Sequence, residues 1–429
     1  MHVRTGGRGT RRGRPAPAAL VLAFGLLAAC QPHHDTATPP RTPARTDVPA
    51  SPVRAEPGAD PRLHGAKRRL LVVWTRGALP AGLAARVRRL HGIAAASPVV
   101  AGVVWMTRSS RPDGTAVERA PRGFLIPMDV AGANPSAYAA VLGRQAAGVG
   151  QVRQGGAVLG RVSADLHRLH SGDLVRLTTG SVQVAGVVPD AAIGAHEIFL
   201  SRRRAESLGI HTERYLVARL RPGVDPASVR ALLRALISPT PVRIRSATQT
   251  PYLREADGVL PPVWEKVFFG QFAAHVEPQG ALRIDPSWIA SHIASAHVPI
   301  LGTVRCNRNL IPTLRASLRY LQRSGLASLV RPSEYRGCFV PSLIPGSAEI
   351  SHHTWGSALD VNVNANWLGQ TPHQDPRLVG DFVRHGFVWG GRFLVPDGMH
   401  FEYGCPATFR IRESIPVPIE PPRVPLCRG

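Results

Sequence analysis

Ser351-His352-His353-Thr354-Trp355-Gly356-Ser357-Ala358-Leu359-Asp360-Val361-Asn362, read with Asp397-Gly398-Met399-His400-Phe401-Glu402, decides the last third of the chain. A catalytic zinc takes three protein ligands from histidine and carboxylate and keeps a fourth position for water. His353, Asp360 and His400 supply that set of metal ligands. Zinc lowers the pKa of a bound water from 15.7 to about 7, so hydroxide becomes available at neutral pH. A carboxylate must then take the water proton and pass it to a leaving amine. Asp397, placed three residues before His400, puts a general base beside the metal without making it a ligand. Glu402 alternates with His400 and, with Ser351, is expected behind the ligands, where an oxygen can orient a histidine ring. On an extended segment His352 points away from His353, to the surface or to the outer side of the site. Trp355 and Trp389 read as packing residues that flank it.

These residues carry a family resemblance. Ser351-x-His353-x-x-Gly356-x-Ala358-x-Asp360 and Asp397-x-x-His400 resemble the two motifs of the VanY-type D-alanyl-D-alanine carboxypeptidase superfamily, which also contains L-alanyl-D-glutamate endopeptidases. The likeness extends over Pro299-Ile300-Leu301-Gly302, Tyr335-Arg336-Gly337-Cys338-Phe339 and Trp389-Gly390-Gly391, and covers roughly residues 284–405. The resemblance implies a small α+β fold whose central antiparallel sheet carries the zinc. It implies an arginine ahead of the first motif that stabilises the tetrahedral oxyanion, and Arg336 is the candidate. Aspartate at 397, where other branches carry glutamate, resembles the endopeptidase branch. Pro341-Ser342 departs from the Pro-Arg of similar relatives, so the substrate contact that the resemblance implies there is not carried over to this chain.

The composition places such a site outside the cytoplasm. Arg4, Arg8, Arg11, Arg12 and Arg14 precede an apolar run, Ala16 to Ala29, too short to span a bilayer. Residues 1–30 therefore read as an export signal, and Leu27-Ala28-Ala29-Cys30 resembles a bacterial lipobox with Cys30 as the lipidated residue. The resulting localisation is extracytoplasmic, anchored by lipid to the outer face of a bacterial plasma membrane. Cys306, Cys338, Cys405 and Cys427 fit two disulfides in an oxidising compartment, with three connectivities open. The net charge of +24 favours acidic partners such as wall polymers or anionic lipid. No recognition motif for nucleic acid accompanies it. Only two of the 52 basic residues, Lys67 and Lys266, are lysines.

At 429 residues with 44% apolar composition, the chain has room for two domains. Residues 31–65, rich in Pro, Ala and Thr, read as a tether. In 66–247 a strand–helix–strand unit (Leu70 to Trp74, Leu83 to Leu90, Val99 to Met106) recurs as Tyr215 to Leu220, Pro226 to Ile237 and Val242 to Ile244. Short strands lie between them, which predicts an α+β sandwich with a β-rich insert. Gly156 to Ser201 resembles the extracytoplasmic core domain of MacB-type and FtsX-type permeases, through Gly156-Ala157-Val158-Leu159-Gly160, Leu169-His170-Ser171-Gly172-Asp173-Leu174-Val175 and Val184-Ala185-Gly186-Val187-Val188. That implies an interaction domain with an extracytoplasmic protein partner, and its histidines read as scattered surface or helix residues. Residues 248–283, punctuated by Pro251, Pro261, Pro262 and Pro278, read as a connector, and the zinc peptidase domain as 284–429. There Asn309 is expected to cap one helix, and Asp375 with Pro376 to open another that ends at Gly386. Peptidoglycan stem peptides are the expected substrate. The competing readings are a wall-binding or complex-docking lipoprotein on a peptidase fold, and a zinc peptidase acting on proteins or small dipeptides.

Overall fold

Strand β1 (Leu70–Thr75) alternates its side chains between two cores, and that alternation sets the architecture of the first half. Leu71 and Val73 pack under the helices α1 (Leu83–Arg88) and α5 (Pro226–Ile237), whereas Leu70 and Val72 face Tyr138 and Val141 on the other side. The computed structural model describes residues 69–247, 252 and 259–404, all within one compact unit, Pro52–Gly429. The segments read as an export signal with Cys30 and as a tether, together with Cys405 and Cys427, lie outside the described residues.

In chain order β1 and α1 lead to an 18-residue strand β2 (Ile93–Ser110), then β3 (Ala116–Arg119), β4 (Ile126–Ala133) and α2 (Pro135–Leu142). The insert follows: β5 (Ala157–Gly160), α3 (Arg161–His167), β6 (Leu174–Leu177), β7 (Gly180–Val188), β8 (Ile198–Ser201) and α4 (Arg202–Ser207). The second strand–helix–strand unit closes the half as β9 (Glu213–Leu220), α5 and β10 (Val242–Ser246). Strand order is β10-β1-β9-β2-β4-β8-β5-β7-β6, and β6 pairs back onto the far end of β2. The long β2 thus belongs to a four-stranded antiparallel layer at one end and to a closed ring of short strands at the other. This large mixed sheet is the α+β arrangement with a β-rich insert expected from the spacing.

The segment read as a connector carries ordered elements: α6 (Pro262–Phe269), β11 (Ala274–Val276) and β12 (Leu282–Ile284). Pro262 does not break the chain there. It occupies the first turn of a helix, where a missing N–H costs nothing. Next come α7 (Pro286–His292), the hairpin β13 (Ile293–Val298) and β14 (Gly302–Asn307), and α8 (Ile311–Arg323). Asn309 does not cap α8. Its backbone N–H goes to Asn307 Oδ1 and its side chain donates to the Phe268 carbonyl. The last elements are β15 (Ala358–Asp360), α9 (Pro376–Arg384), β16 (Phe387–Trp389) and β17 (His400–Tyr403). Asp375 caps α9 through its side chain, Pro376 follows at the first position, and Gly386 leaves with a φ of 95°.

One apolar core, from Leu260 to Phe401, fills the second half, and Val103 and Trp105 of β2 pack against it. A disulfide joins Cys306 to Cys338. Among the described residues no helix is long and apolar enough to cross a membrane.

Candidate metal centre

The site is built on a three-stranded antiparallel sheet, β15-β17-β16, whose register sets Asp360 directly opposite His400. His353 comes from a single 3-10 turn, His352–Thr354, which Ser351 opens by accepting the His353 N–H at 3.3 Å. This turn replaces the extended segment expected from sequence, so His352 does not simply point away from its neighbour. Gly356 leaves the turn at a φ of 68°, and a Cβ there would stand 2.8 Å from the Asn307 nitrogen. Gly390 has the same kind of reason to be glycine, because a Cβ would meet the Asp397 carbonyl at 2.7 Å and His400 Cβ at 3.1 Å. Trp355 is fully buried against Phe272, and Trp389 donates its indole N–H to the Gly398 carbonyl at 2.9 Å.

Three atoms converge. His353 Nε2 lies 3.1 Å from His400 Nδ1, and Asp360 Oδ1 lies 3.3 Å from the first and 3.1 Å from the second. The other nitrogen of each ring is already committed. His353 Nδ1 donates to the Cys338 carbonyl at 3.1 Å, and His400 Nε2 donates to Glu402 Oε2 at 2.9 Å. Each ring therefore turns an unprotonated nitrogen inward, and two such lone pairs repel unless a cation stands between them. Ligand bonds of about 2.0–2.1 Å in a tetrahedron give edges of about 3.3–3.4 Å. The three residues fit a zinc in donor type, spacing and ring orientation.

Without a cation, a proton takes its place. Burial opposes charge on His400, but hydrogen bonds to Asp360 and Glu402 hold its pKa well above the usual histidine range. Burial also opposes charge on Asp360, and the two histidines overcome it and hold the carboxyl low. Asp397 lines the same cavity as these three residues, and its Oδ1 is buried with no hydrogen-bond partner. Burial pushes Asp397 up to about 6. Arg336 is exposed at the cavity wall, and its backbone N–H donates to the Asp360 carbonyl at 3.0 Å.

Behind the three converging residues runs a buried chain of charges; sequence reading expected Glu402 there and gave His352 the surface or the outer side of the site, but did not find Glu265 or the chain's continuation into the first half. Glu402 Oε2, 2.9 Å from His400 Nε2, also lies 2.9 Å from His352 Nδ1, and Glu265 Oε1 of α6 is 3.5 Å beyond. Ser357 donates to the other Glu265 oxygen at 2.7 Å. Burial drives Glu265 up to about 7, while Glu402 and Glu265 together draw His352 up to about 9 against its own burial. The next residue, Lys266, is 2% exposed and points into the first half, where it donates to both Glu197 oxygens at 2.8 and 2.9 Å. Glu197 also meets His167 at 3.1 Å, and His167 reaches Glu118 at 2.7 Å. His167 and His196, read from sequence among scattered surface or helix histidines, are buried with carboxylate partners, and His167 is the last residue of α3. The available signal was Lys266 itself, one of two lysines in an arginine-rich chain. A compact ammonium, unlike the broad guanidinium fork, fits such a pocket.

Residues 345–403 match the D-alanyl-D-alanine carboxypeptidase family. Residues 51–236 match the MacB-like periplasmic core domain. The α6 residues Glu265 and Lys266 fall in neither match. Among solved structures, the chain is similar to the periplasmic region of MacB from Actinobacillus actinomycetemcomitans, with 11% identity, 44% of this chain and 94% of that one covered, and a TM-score of 0.32. A domain of a putative permease protein from Porphyromonas gingivalis gives 19% identity, 42% and 88% coverage, and a TM-score of 0.28. The extracellular domain of the noncanonic ABC-type transporter YknZ from Gram-positive bacteria gives 11%, 41% and 100%, and 0.28. The comparison with curated proteins gave no match.

Proposed function

We propose that the chain is an extracytoplasmic zinc peptidase that hydrolyses peptide bonds in peptidoglycan stem peptides, as a D-Ala-D-Ala carboxypeptidase or an L-Ala-D-Glu endopeptidase. One observation carries the reading. Two histidine nitrogens whose ring protons are turned outward and one Asp360 oxygen converge in a cavity shared with an unpartnered carboxylate, Asp397. A zinc held by His353, Asp360 and His400 would supply acidification of a water and polarisation of the scissile carbonyl. Asp397 takes the proton from that water and returns it to the leaving amine, first base and then acid. Arg336 offers its guanidinium to the oxygen on which negative charge develops. Glu402 and the Cys338 carbonyl hold the two rings in the tautomers that ligation needs. The family match at 345–403 supports the reaction class. The lipobox-like residues ending at Cys30 support a membrane anchor on the outer face, beside the wall.

The test is digestion of purified peptidoglycan with mass analysis of the released fragments, which separates the two bond choices directly. The full chain is expected to hold one zinc and to release amino-acid or peptide fragments. Asp397→Asn is expected to keep the metal and lose about 10²–10⁴ in rate. A protein without stoichiometric zinc, or an Asp397→Asn variant as fast as the parent, would sink the reading.

The match of residues 51–236 to the MacB-like core favours a second role, docking on an extracytoplasmic protein partner. Pull-down with and without the first half tests it. If the same partners are captured either way, docking through this region is excluded.

A further inference from the structure

The cavity holding the metal ligands has a volume of about 820 Å³, within the range of sites that enclose a ligand. Its walls come from both halves of the chain. Trp74 and Arg76 at the end of β1 and Val103 of β2 line it together with His353, Asp360 and Asp397. The halves are fixed to each other around it. Lys266 reaches Glu197, Arg214 pairs with Glu349 at 2.7 Å, and Leu125 and Ala274 exchange two backbone hydrogen bonds of 2.8 Å each.

The charges on these walls can be sorted. Lys266 is matched by Glu197, Arg214 by Glu349 and His196 by Asp129, while Asp360 and Glu402 serve the ligand histidines. Asp397 has no partner and is the base of the proposed reaction; of the cations, Arg76 and Arg336 remain, both exposed and both without a carboxylate partner among the described residues. One stands on each half. Four large apolar side chains that the fold leaves exposed, Val340, Ile344, Trp367 and Leu368, line the same cavity. Unmatched cations beside an apolar rim suit a ligand with small apolar groups and more than one carboxylate.

We propose that the N-terminal half is the second wall of the peptidase cleft, and that Arg76 takes a free carboxylate of the peptide lying between the walls. Arg76 is then a specificity-determining residue for the acidic peptide, contributed by a domain outside the peptidase match. This rests on the peptidase reading for the identity of the ligand, but not for the shape or charge of the cleft.

The experiment measures binding by calorimetry to the zinc-loaded, full-length Asp397→Asn protein, so that nothing is consumed. The probes are the pentapeptide L-Ala-D-Glu-L-Lys-D-Ala-D-Ala with free carboxylates and the same peptide with every carboxylate amidated. Adding Arg76→Gln is expected to weaken the acid peptide about tenfold, as for one charged hydrogen bond. The amidated peptide should be unaffected, zinc content and melting temperature unchanged, and Arg76→Lys should restore part of the loss. Equal weakening of both peptides, no weakening of either, or no binding of the acid peptide would overturn the proposal. If the acid peptide binds through Arg76 but the parent releases nothing from peptidoglycan, the hydrolase reading falls and the composite cleft stands. If the parent cleaves peptidoglycan and Arg76→Gln keeps full affinity, the reverse holds.

Discussion

Asp397 carries two opposing demands, burial beside a carboxylate, which favours its protonated form, and the need to be ionised before it can act as a base. Burial and the Asp360 charge push it up to about 6, against the pull of His400. A base must be deprotonated to act, so kcat/KM is expected to fall as pH drops through about 6, and a bound zinc moves that limb lower. A pH–rate profile of the holoenzyme checks this; a flat profile from pH 4 to 8 contradicts it. The same shift makes metal-free stability fall as pH rises from the unfolded aspartate range, about 4, to about 6, because the folded state holds this proton more tightly. His400 gives the complementary expectation. Its raised pKa means that zinc must displace a proton, so metal affinity rises with pH, measurable by competition with a chromogenic chelator. Glu402 accepts from His400 and faces His352 within one buried cluster. Glu402→Gln should therefore cost about 10–100-fold in zinc affinity.

At the scale of elements, α6 places Glu265 in the metal half and Lys266 in the other, because successive helix residues face about a quarter-turn apart. Removing one member of a buried ion pair leaves the other charge uncompensated, at about 3–5 kcal/mol. Lys266→Met is expected to destabilise the chain by that amount in urea unfolding, and a paired Glu197→Gln to recover part of it. A Lys266→Met protein as stable as the parent would contradict this. The disulfide spans a sequence separation of 32 residues, worth about 4 kcal/mol in the chain-entropy account. The Cys338 carbonyl also accepts from His353, so Cys338→Ser should lower both melting temperature and zinc affinity. Sequence reading reached α9 because Asp375, Pro376 and Gly386 are local signals. It missed α6 because Pro261-Pro262 looks the same whether a chain is stopping or entering a helix. It singled out His353, Asp360 and His400, which the fold brings together, because residue type and spacing are written in the chain. It could not place Glu265, which reaches the site only through packing.

Across the whole molecule, the β-rich half was legible as two strand–helix–strand units around short strands. The return of β6 to β2 was not, since ring closure depends on the length of β2 and not on any local pattern. The shared cavity was also invisible, because its walls are far apart in sequence. A fragment beginning at Ile284 lacks α6 and the wall with Arg76. It is expected to bind zinc more weakly and to melt at a lower temperature than the full chain, by equilibrium dialysis and calorimetry. Two adjacent residues, Glu265 and Lys266, thus give the architecture a historical consequence. The half with the peptidase match is not a portable cassette. Recombination at the border of the peptidase match would separate His352 and Glu402 from Glu265, the carboxylate they pack against, and leave that buried carboxylate without them. An exchange of either half would have to refit the helix between them.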